Sequence, residues 1–287
     1  MIKLENLKKY YGASKGVEDI TLTVNEGNIF GFVGPNGAGK STTIRVLMGL
    51  INATSGYVEV LGKTTRDGII EALNDIGYLP GEANFYGDLK VKELLEYSCK
   101  LKGRGKENIQ YFADKFNLDL DKKIDALSLG NRKKVAIVNA LLHKPKLLIL
   151  DEPTGGLDPV MQHIFFDVLR DLNKSGSTIF FSSHILSEVQ SFCEFVAVVK
   201  DGKIIKSGAV RDICGNSLKE VKLTFDKKVP KLDKDNFINN VVITDGLLSF
   251  DYSGKPGDLI TLISKLQPID VNINNADLER VIMHFYL

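Results

Sequence analysis

The fold of this chain is indicated by one octapeptide, Gly34-Pro35-Asn36-Gly37-Ala38-Gly39-Lys40-Ser41. It fits the pattern G-x-x-x-x-G-K-[S/T], whose glycines let backbone N–H groups converge on anionic phosphate oxygens. An apolar run at 29–33 precedes it and a helical pattern at 42–50 follows it, as a strand–loop–helix unit requires. A helix that begins at Lys40 adds its positive dipole end. The octapeptide predicts nucleotide binding, with Lys40 on the β- and γ-phosphates and Ser41 on Mg²⁺.

The composition is that of an ordinary globular protein, with 287 residues, 44% hydrophobic and 25% charged. This length allows one large domain or two unequal ones. A net charge of +1 gives no indication of a nucleic-acid or membrane-surface footprint. The three cysteines are widely spaced and lack metal-ligand spacing, which favours reduced thiols in a cytosolic protein. We expect neither a signal peptide nor a spanning segment, so any membrane-spanning part belongs to another chain.

The pattern of apolar residues predicts two domains. Alternation at 2–7 and 20–24 is typical of antiparallel strands, and the α/β pattern around the phosphate loop resumes after residue 145. Between them lies a predicted helical subdomain, about 82–145, with helices at 91–101, 109–116 and 133–142. From about residue 214, short alternating strands and two helices follow. We therefore predict a nucleotide-binding domain at 1–213 and a small α+β domain at 214–287.

Two carboxylates follow a continuous apolar run at 147–150, which is typical of a strand buried on both faces. Asp151 and Glu152 then lie at the carboxyl end of that strand, where ligands bind in open α/β sheets. In a phosphate-loop ATPase the first carboxylate holds Mg²⁺, directly or through water. The second can accept a proton from the attacking water. The alternative is a solvated strand end without a chemical role.

Two further segments have no obvious structural need. One reads Leu127-Ser128-Leu129-Gly130-Asn131-Arg132, about twenty residues before Asp151, and the other reads Ser182-Ser183-His184. Both have simpler explanations, because Ser128 suits a helix cap and His184 suits a polar strand end. Asp158, which follows Gly156-Leu157, likewise suits the cap of a helix predicted at 159–173.

The order of these motifs, over residues 1–213, resembles that of the ABC ATPase family. The resemblance implies a P-loop NTPase of ABC type, with a mixed central sheet, an antiparallel β subdomain and a helical subdomain. It also implies ATP and Mg²⁺ as ligands and a head-to-tail homodimer or heterodimer of nucleotide-binding domains. Each ATP then lies between the phosphate loop of one subunit and residues 128–131, the signature segment, of the other. A separate transmembrane permease would hold the protein at the cytoplasmic face of the membrane.

The same resemblance implies roles for individual residues. Tyr11 would stack on adenine, with Tyr10 as its rival and a plain core aromatic as the alternative. Asp151 would lie on the Mg²⁺ side and Glu152 would be the general base. His184 would be the switch histidine that touches the γ-phosphate. The phosphate and metal contacts would be Lys40, Ser41 and Thr42. The contacts across the dimer would be Ser128, Gly130, Asn131 and Asp158.

Two positions depart from the family pattern. In the signature segment Leu129 replaces a usual Gly and Asn131 replaces a usual Gln, a form that looks like the drug- and bacteriocin-exporter branch. After the predicted strand at 76–79, Gly81 stands where the family has a Gln that contacts Mg²⁺. Glu82 follows and is the candidate substitute. This departure concerns the contact by which the family senses Mg²⁺, and it does not affect the prediction of nucleotide binding.

Three functions compete on this basis. The first is the ATPase subunit of an ABC transporter, driving export through a separately encoded permease. The second is a soluble ABC ATPase acting on ribosomes or DNA, which the near-neutral charge and the single nucleotide-binding unit disfavour. The third is a degenerate, nucleotide-gated binding module, against which Glu152 and His184 argue. We expect no nucleic-acid partner.

Overall fold

The fold is taken from a computed structural model that describes residues 1–64, 68–214, 219–226, 229–230, 237–275 and 278–286. The chain divides into two compact units, Met1–Ser207 and Gly208–Leu287. The assignment of 1–213 and 214–287 as independent domains stays a prediction.

The described strands of the first unit form one large mixed sheet. They are β1 (Ile2–Tyr11), β2 (Ser14–Val24), β3 (Ile29–Val33), β4 (Ser55–Val60), β5 (Lys63–Thr64), β6 (Ile76–Leu79), β7 (Leu147–Asp151), β8 (Thr178–Ser183), β9 (Phe195–Lys200) and β10 (Lys203–Ala209). Their order is β5-β4-β1-β2-β10-β9-β3-β8-β7-β6. β1 pairs antiparallel with β2 and β4, whereas β3, β8, β7 and β6 run parallel. Every residue of β3, β7 and β8 is buried, as their apolar runs predict.

Helices cover the parallel strands and form a separate cluster between β6 and β7. They are α1 (Lys40–Leu47), α2 (Ile69–Leu73), α3 (Val91–Lys102), α4 (Ile109–Lys115), α5 (Leu129–Leu141), α6 (Pro159–Lys174) and α7 (Leu186–Phe192). α3, α4 and α5 contact one another, so the predicted helical subdomain forms. In the part of the chain that the structure describes, no helix has the length and apolar composition to cross a membrane.

Two predicted helix boundaries were wrong. α1 ends at Leu47 rather than at residue 50, because Gly49 takes a left-handed conformation with φ of 65°. α5 begins at Leu129 rather than at Lys133, because Ser128 caps it through a hydrogen bond from the Asn131 N–H. The signature segment is therefore the cap and first turn of a helix rather than a loop ahead of one.

The second unit is an antiparallel sheet with helices. Its elements are α8 (Val210–Ile213), β11 (Lys219–Thr224), β12 (Ile238–Thr244), β13 (Leu247–Tyr252), α9 (Pro256–Leu266), β14 (Asp270–Asn275) and α10 (Leu278–Tyr286). The strand order is β12-β13-β11-β14. Val221 and Phe250 of the sheet pack with Leu259 of α9, and buried Asp251 pairs with Arg280 of α10 at 2.6 Å. The sequence predicts the last helix at 276–286, and residues 276–277 of this range lie outside the described residues.

Candidate active site

The phosphate loop connects β3 to α1 and fits tightly against neighbouring backbone. A Cβ atom added at Gly34 would lie 2.2 Å from the carbonyl oxygen of Val199. At Gly39, where φ is 101°, a Cβ atom would lie 2.7 Å from the carbonyl oxygen of Gly16. Any side chain at either position would displace the loop, so both glycines are required by space, and Gly39 also by its left-handed conformation.

The start of α1 has the features of an anion site. Gly39 is its N-cap and forms no side-chain capping hydrogen bond, and no acidic residue lies in the first turn. The first N–H groups of a helix lack partners within the helix and carry its positive dipole end. The loop and α1 together therefore fit a polyphosphate chain.

Lys40 supplies a buried cation at this point. Its side chain is 5% exposed, and its ammonium donates to the carbonyl oxygens of Gly34 at 2.7 Å and Pro35 at 3.1 Å. The same nitrogen lies 3.5 Å from Oε1 of Glu152. The ammonium is thus held beside the loop and next to the Glu152 carboxylate, which follows β7, two strands away from β3 in the sheet.

The pairing of β7 with β8 orients the two predicted carboxylates differently. Asp151 lies opposite Ser182 and accepts a hydrogen bond of 2.6 Å from its hydroxyl. Glu152 leaves the strand in a left-handed conformation, with φ of 45°, while its N–H donates to the Ser182 carbonyl oxygen at 3.1 Å. The buried Asp151 is therefore held in place, whereas the Glu152 side chain is partly exposed.

His184 completes a cluster of three predicted residues. Its Nδ1 lies 3.3 Å from Oε2 of Glu152, while Lys40 approaches the other carboxylate oxygen. The structure thus brings together Lys40, Glu152 and His184 from three loops of the sheet. Such a group can hold a negatively charged ligand and move a proton at the Glu152 carboxylate.

The signature segment and Asp158 lie at helix N-termini. Ser128 accepts a hydrogen bond from Asn131 N at 3.3 Å, and Asp158 accepts one from Met161 N at 2.9 Å. The capping explanations are therefore satisfied for both residues. Among the described residues, no hydrogen bond or ion pair joins Ser128 to Lys40 or Glu152 of the same chain.

Tyr11 lies at the end of β1, beside the phosphate loop. A Cβ atom added at Gly16 would meet the Tyr11 ring at 2.9 Å and the Thr42 methyl at 3.1 Å, so both side chains border Gly16. The Tyr11 side chain is 46% exposed and lies under the Lys9 ammonium, 5.1 Å from the ring centroid. Tyr11 is thus placed as an exposed aromatic rather than as a core residue.

The departure at Gly81 lies close to the predicted metal side of the site. A Cβ atom added at Gly81 would stand 3.8 Å from Oδ2 of Asp151, so a longer side chain here could reach this carboxylate. Glu82, the candidate substitute, is exposed to solvent. Its role as a metal ligand stays a prediction.

Lys133 was missed by sequence reasoning and is nevertheless part of the site. It is 7% exposed, and its ammonium lies 3.1 Å from the carbonyl oxygens of both Gly81 and Glu152. Burial lowers the pKa of Lys133, while the Asp151 and Glu152 carboxylates act in the opposite direction. Helical spacing could have indicated that Lys133 is buried, because residues four apart lie on the same face of a helix and Lys133 shares the buried face of α5 with Ile137.

The fold and this cluster define a nucleotide hydrolase of the phosphate-loop class. Residues 17–155 match the family described as ABC transporter. An uncharacterised ABC transporter ATP-binding protein of Methanocaldococcus jannaschii is 41% identical over 219 residues, which cover 74% of this chain and 79% of that protein. The bacitracin transport ATP-binding protein of Bacillus licheniformis is 39% identical over 213 residues, 72% of this chain and 69% of the relative.

A solved structure agrees with these relatives. It is a dimeric post-hydrolysis state of an ATP-binding cassette with bound ADP and phosphate, with a TM-score of 0.69 and 26% identity over 74% of this chain and 99% of that one. The chain belongs to the family of ABC transporter ATP-binding proteins. It is accordingly an ATP-hydrolysing subunit of a transporter, and the predicted fold class is confirmed. Action on ribosomes or DNA is not favoured.

Proposed function

We propose that this chain powers export of a substrate through a separately encoded permease. The cluster of Lys40, Glu152 and His184 within a cassette fold supports the ATP-hydrolysing part of this proposal, and the similarity to a bacitracin transport ATP-binding protein carries the transport part. Similarity to a bacitracin transport subunit and the S-L-G-N form of the signature segment support the exporter type. Membrane association then comes through the permease, at the cytoplasmic face.

In this proposal the phosphate loop binds the ATP phosphates, and Tyr11 stacks on adenine. The residues proposed to contact the nucleotide are Gly34, Pro35, Asn36, Gly37, Ala38, Gly39, Lys40 and Ser41 of the loop and Thr42 of α1. Mg²⁺ would be held by Ser41 and Asp151 and would neutralise charge on the phosphates. The described residues contain no cluster of three or more His, Cys, Asp or Glu side chains fit for a metal. That suits Mg²⁺, which is usually bound by one or two protein ligands together with substrate phosphates.

Glu152 is the proposed general base. Its carboxylate would take a proton from the water that attacks the γ-phosphate, releasing ADP and phosphate. His184, at 3.3 Å from Glu152, would hold the γ-phosphate and this carboxylate in a common arrangement. When ATP binds, the Lys40 ammonium would leave the Gly34 carbonyl oxygen and donate to phosphate oxygens instead. Phosphate oxygens carry negative charge and are therefore stronger acceptors for an ammonium than neutral carbonyl oxygens.

Two copies, identical or related, would complete each other's sites in a head-to-tail dimer. Ser128, Gly130 and Asn131 of one copy would contact the γ-phosphate bound to the other, and Asp158 would link the two sites. The support is the dimeric form of the similar cassette and the position of Ser128 at the N-cap of α5, where among the described residues no hydrogen bond links it to Lys40 or Glu152 of the same chain. Net charge of +1 gives no support for a nucleic-acid partner.

Co-expression with the multi-span membrane protein encoded nearest to this chain tests the transport role. We expect the two proteins to purify together from detergent extracts and the permease to change the ATPase rate. A lysate from cells that lack the permease is the control. Recovery with ribosomal RNA, and no association with any adjacent membrane protein, would refute the role in export.

Substitution of Glu82 by Ala tests the candidate metal contact. If Glu82 replaces the missing Gln, ATP affinity should stay largely intact while hydrolysis falls at least several-fold. Asp88→Ala, in the same connection before α3, is the control. The measurement is the ATPase rate as a function of Mg²⁺ concentration. An unchanged rate at saturating Mg²⁺ would remove Glu82 from the site.

A further inference from the structure

Lys133 is the one buried lysine of α5, and it joins three separate parts of the site. It lies in the second turn of α5, the helix whose first turn contains the signature segment. Its ammonium contacts the loop after β6 through the carbonyl oxygens of Pro80 at 3.5 Å and Gly81 at 3.1 Å. It also contacts the turn after β7 through the carbonyl oxygen of Glu152 at 3.1 Å.

These contacts compensate for burial of the positively charged Lys133 ammonium. Burying an ammonium is costly unless hydrogen bonds and opposite charge compensate for the lost water. Three carbonyl oxygens surround the Lys133 nitrogen, and the carboxylates of Asp151 and Glu152 lie near enough to favour its charged form. A leucine or methionine would fill the same space without this cost, so the charge has a role beyond packing.

The contact with Glu152 matters because of its backbone. Glu152 has a φ of 45°, a conformation that residues with side chains adopt only when the surroundings hold them there. The Ser182 carbonyl oxygen fixes the N–H of Glu152, and Lys133 fixes its carbonyl oxygen. The two hydrogen bonds therefore set the direction in which the Glu152 carboxylate leaves the backbone.

We propose that Lys133 is a positioning residue that couples α5, and with it the signature segment, to the orientation of Glu152. When the signature segment engages nucleotide on a second copy, a shift of α5 moves the Lys133 ammonium and so adjusts the turn at Glu152. The loop after β6 is also connected to Lys133. Gly81 has no side chain, so its carbonyl oxygen makes this contact. The inference rests on the proposed role of Glu152 as general base.

Lys133→Met tests the inference, because methionine keeps the long apolar stem and removes the charge and the donors. We expect kcat to fall roughly 10- to 100-fold, as expected for a misplaced reacting group. The KM and the Kd for ATP should stay within about three-fold, since the phosphate loop is untouched. Because ATP still binds but is hydrolysed more slowly, a Mg-ATP dimer should accumulate in gel filtration.

Two further variants make the result specific. Lys133→Arg retains charge and donors and should recover much of the lost kcat, whereas Lys134→Met, on the next and less buried residue of α5, should behave as wild type. A Lys133→Met protein with wild-type kcat would overturn the inference. So would one that is folded and binds ATP but has lost the dimer, because this outcome assigns Lys133 to the shape of α5 alone.

A second comparison separates this inference from the role of Glu152. Lys133→Met and Glu152→Gln should be non-additive in single-turnover hydrolysis, because Lys133 acts through Glu152. If Glu152→Gln retains turnover, the base assignment fails and the inference fails with it. If Glu152→Gln loses turnover while the two substitutions act additively, only the inference about Lys133 is wrong.

Discussion

Glu152→Gln is expected to stop ATP turnover while leaving ATP binding intact. Glutamine keeps the size and hydrogen bonding of the side chain but cannot accept the proton from the attacking water. General-base assistance is worth about two to four powers of ten in rate, so steady-state turnover should nearly vanish. Asp151 is held separately by Ser182, and Lys40 is positioned at the loop by the Gly34 and Pro35 carbonyl oxygens before ATP binds, so the binding groups remain in place.

The same variant should accumulate as a dimer with Mg-ATP in gel filtration, while the wild type stays mostly monomeric. ADP should not support the dimer, because the signature segment of the second copy needs a γ-phosphate to contact. Adding Ser128→Arg to Glu152→Gln should abolish the dimer. Glu194→Gln, at an exposed position before β9, is the matched control. Hydrolysis by Glu152→Gln at the wild-type rate would return Glu152 to the role of a polar strand end.

Lys40→Met should remove most of the affinity for ATP. Charge-assisted hydrogen bonds contribute about 1.5–3 kcal/mol each, and Lys40 is expected to form two with the phosphates. Their loss, about 3–6 kcal/mol, corresponds to a roughly 100- to 10,000-fold rise in Kd. The Lys40 side chain is buried, at 5% exposed, and methionine fills the space of its methylene groups. The packing around α1 should therefore change little.

Equilibrium binding of a fluorescent ATP analogue measures this effect, and thermal unfolding reports whether the variant is folded. Lys92→Met, at an exposed position of α3, should bind as the wild type does. A folded Lys40→Met protein whose Kd rises less than about ten-fold would contradict the assignment of Lys40 to the phosphates. In that case the backbone N–H groups of the loop would supply nearly all of the affinity.

Features that depend on neighbouring residues could be predicted from the sequence. The phosphate loop is one continuous segment, and the glycine positions, the following helix and the lysine are set by local conformation. The apolar runs before Gly34 and before Asp151 likewise predict buried parallel strands, because only strands covered on both faces lack polar alternation. The roles of Tyr11, Ser128 and His184 are predictions that the family resemblance implies.

The start of α5 shows where local patterns were insufficient. The apolar positions alone place its start near Lys133, whereas the cap at Ser128 extends it to Leu129. The left-handed turn at Glu152 is also invisible in the sequence, because glutamate has no intrinsic preference for it. It arises from the pairing of β7 with β8 and from the contacts around the turn.

The sequence by itself determined the class of fold, the nucleotide loop and the two carboxylates at a strand end, because each is written in consecutive residues. Only the tertiary structure decided that Lys40, Glu152 and His184 meet, and that Lys133 holds carbonyl groups 52 and 19 positions away. The physical reason is that burial, not residue type, gives Lys133 its partners. A lysine in a helix usually faces solvent, and only packing of α5 against two loops directs this one inward.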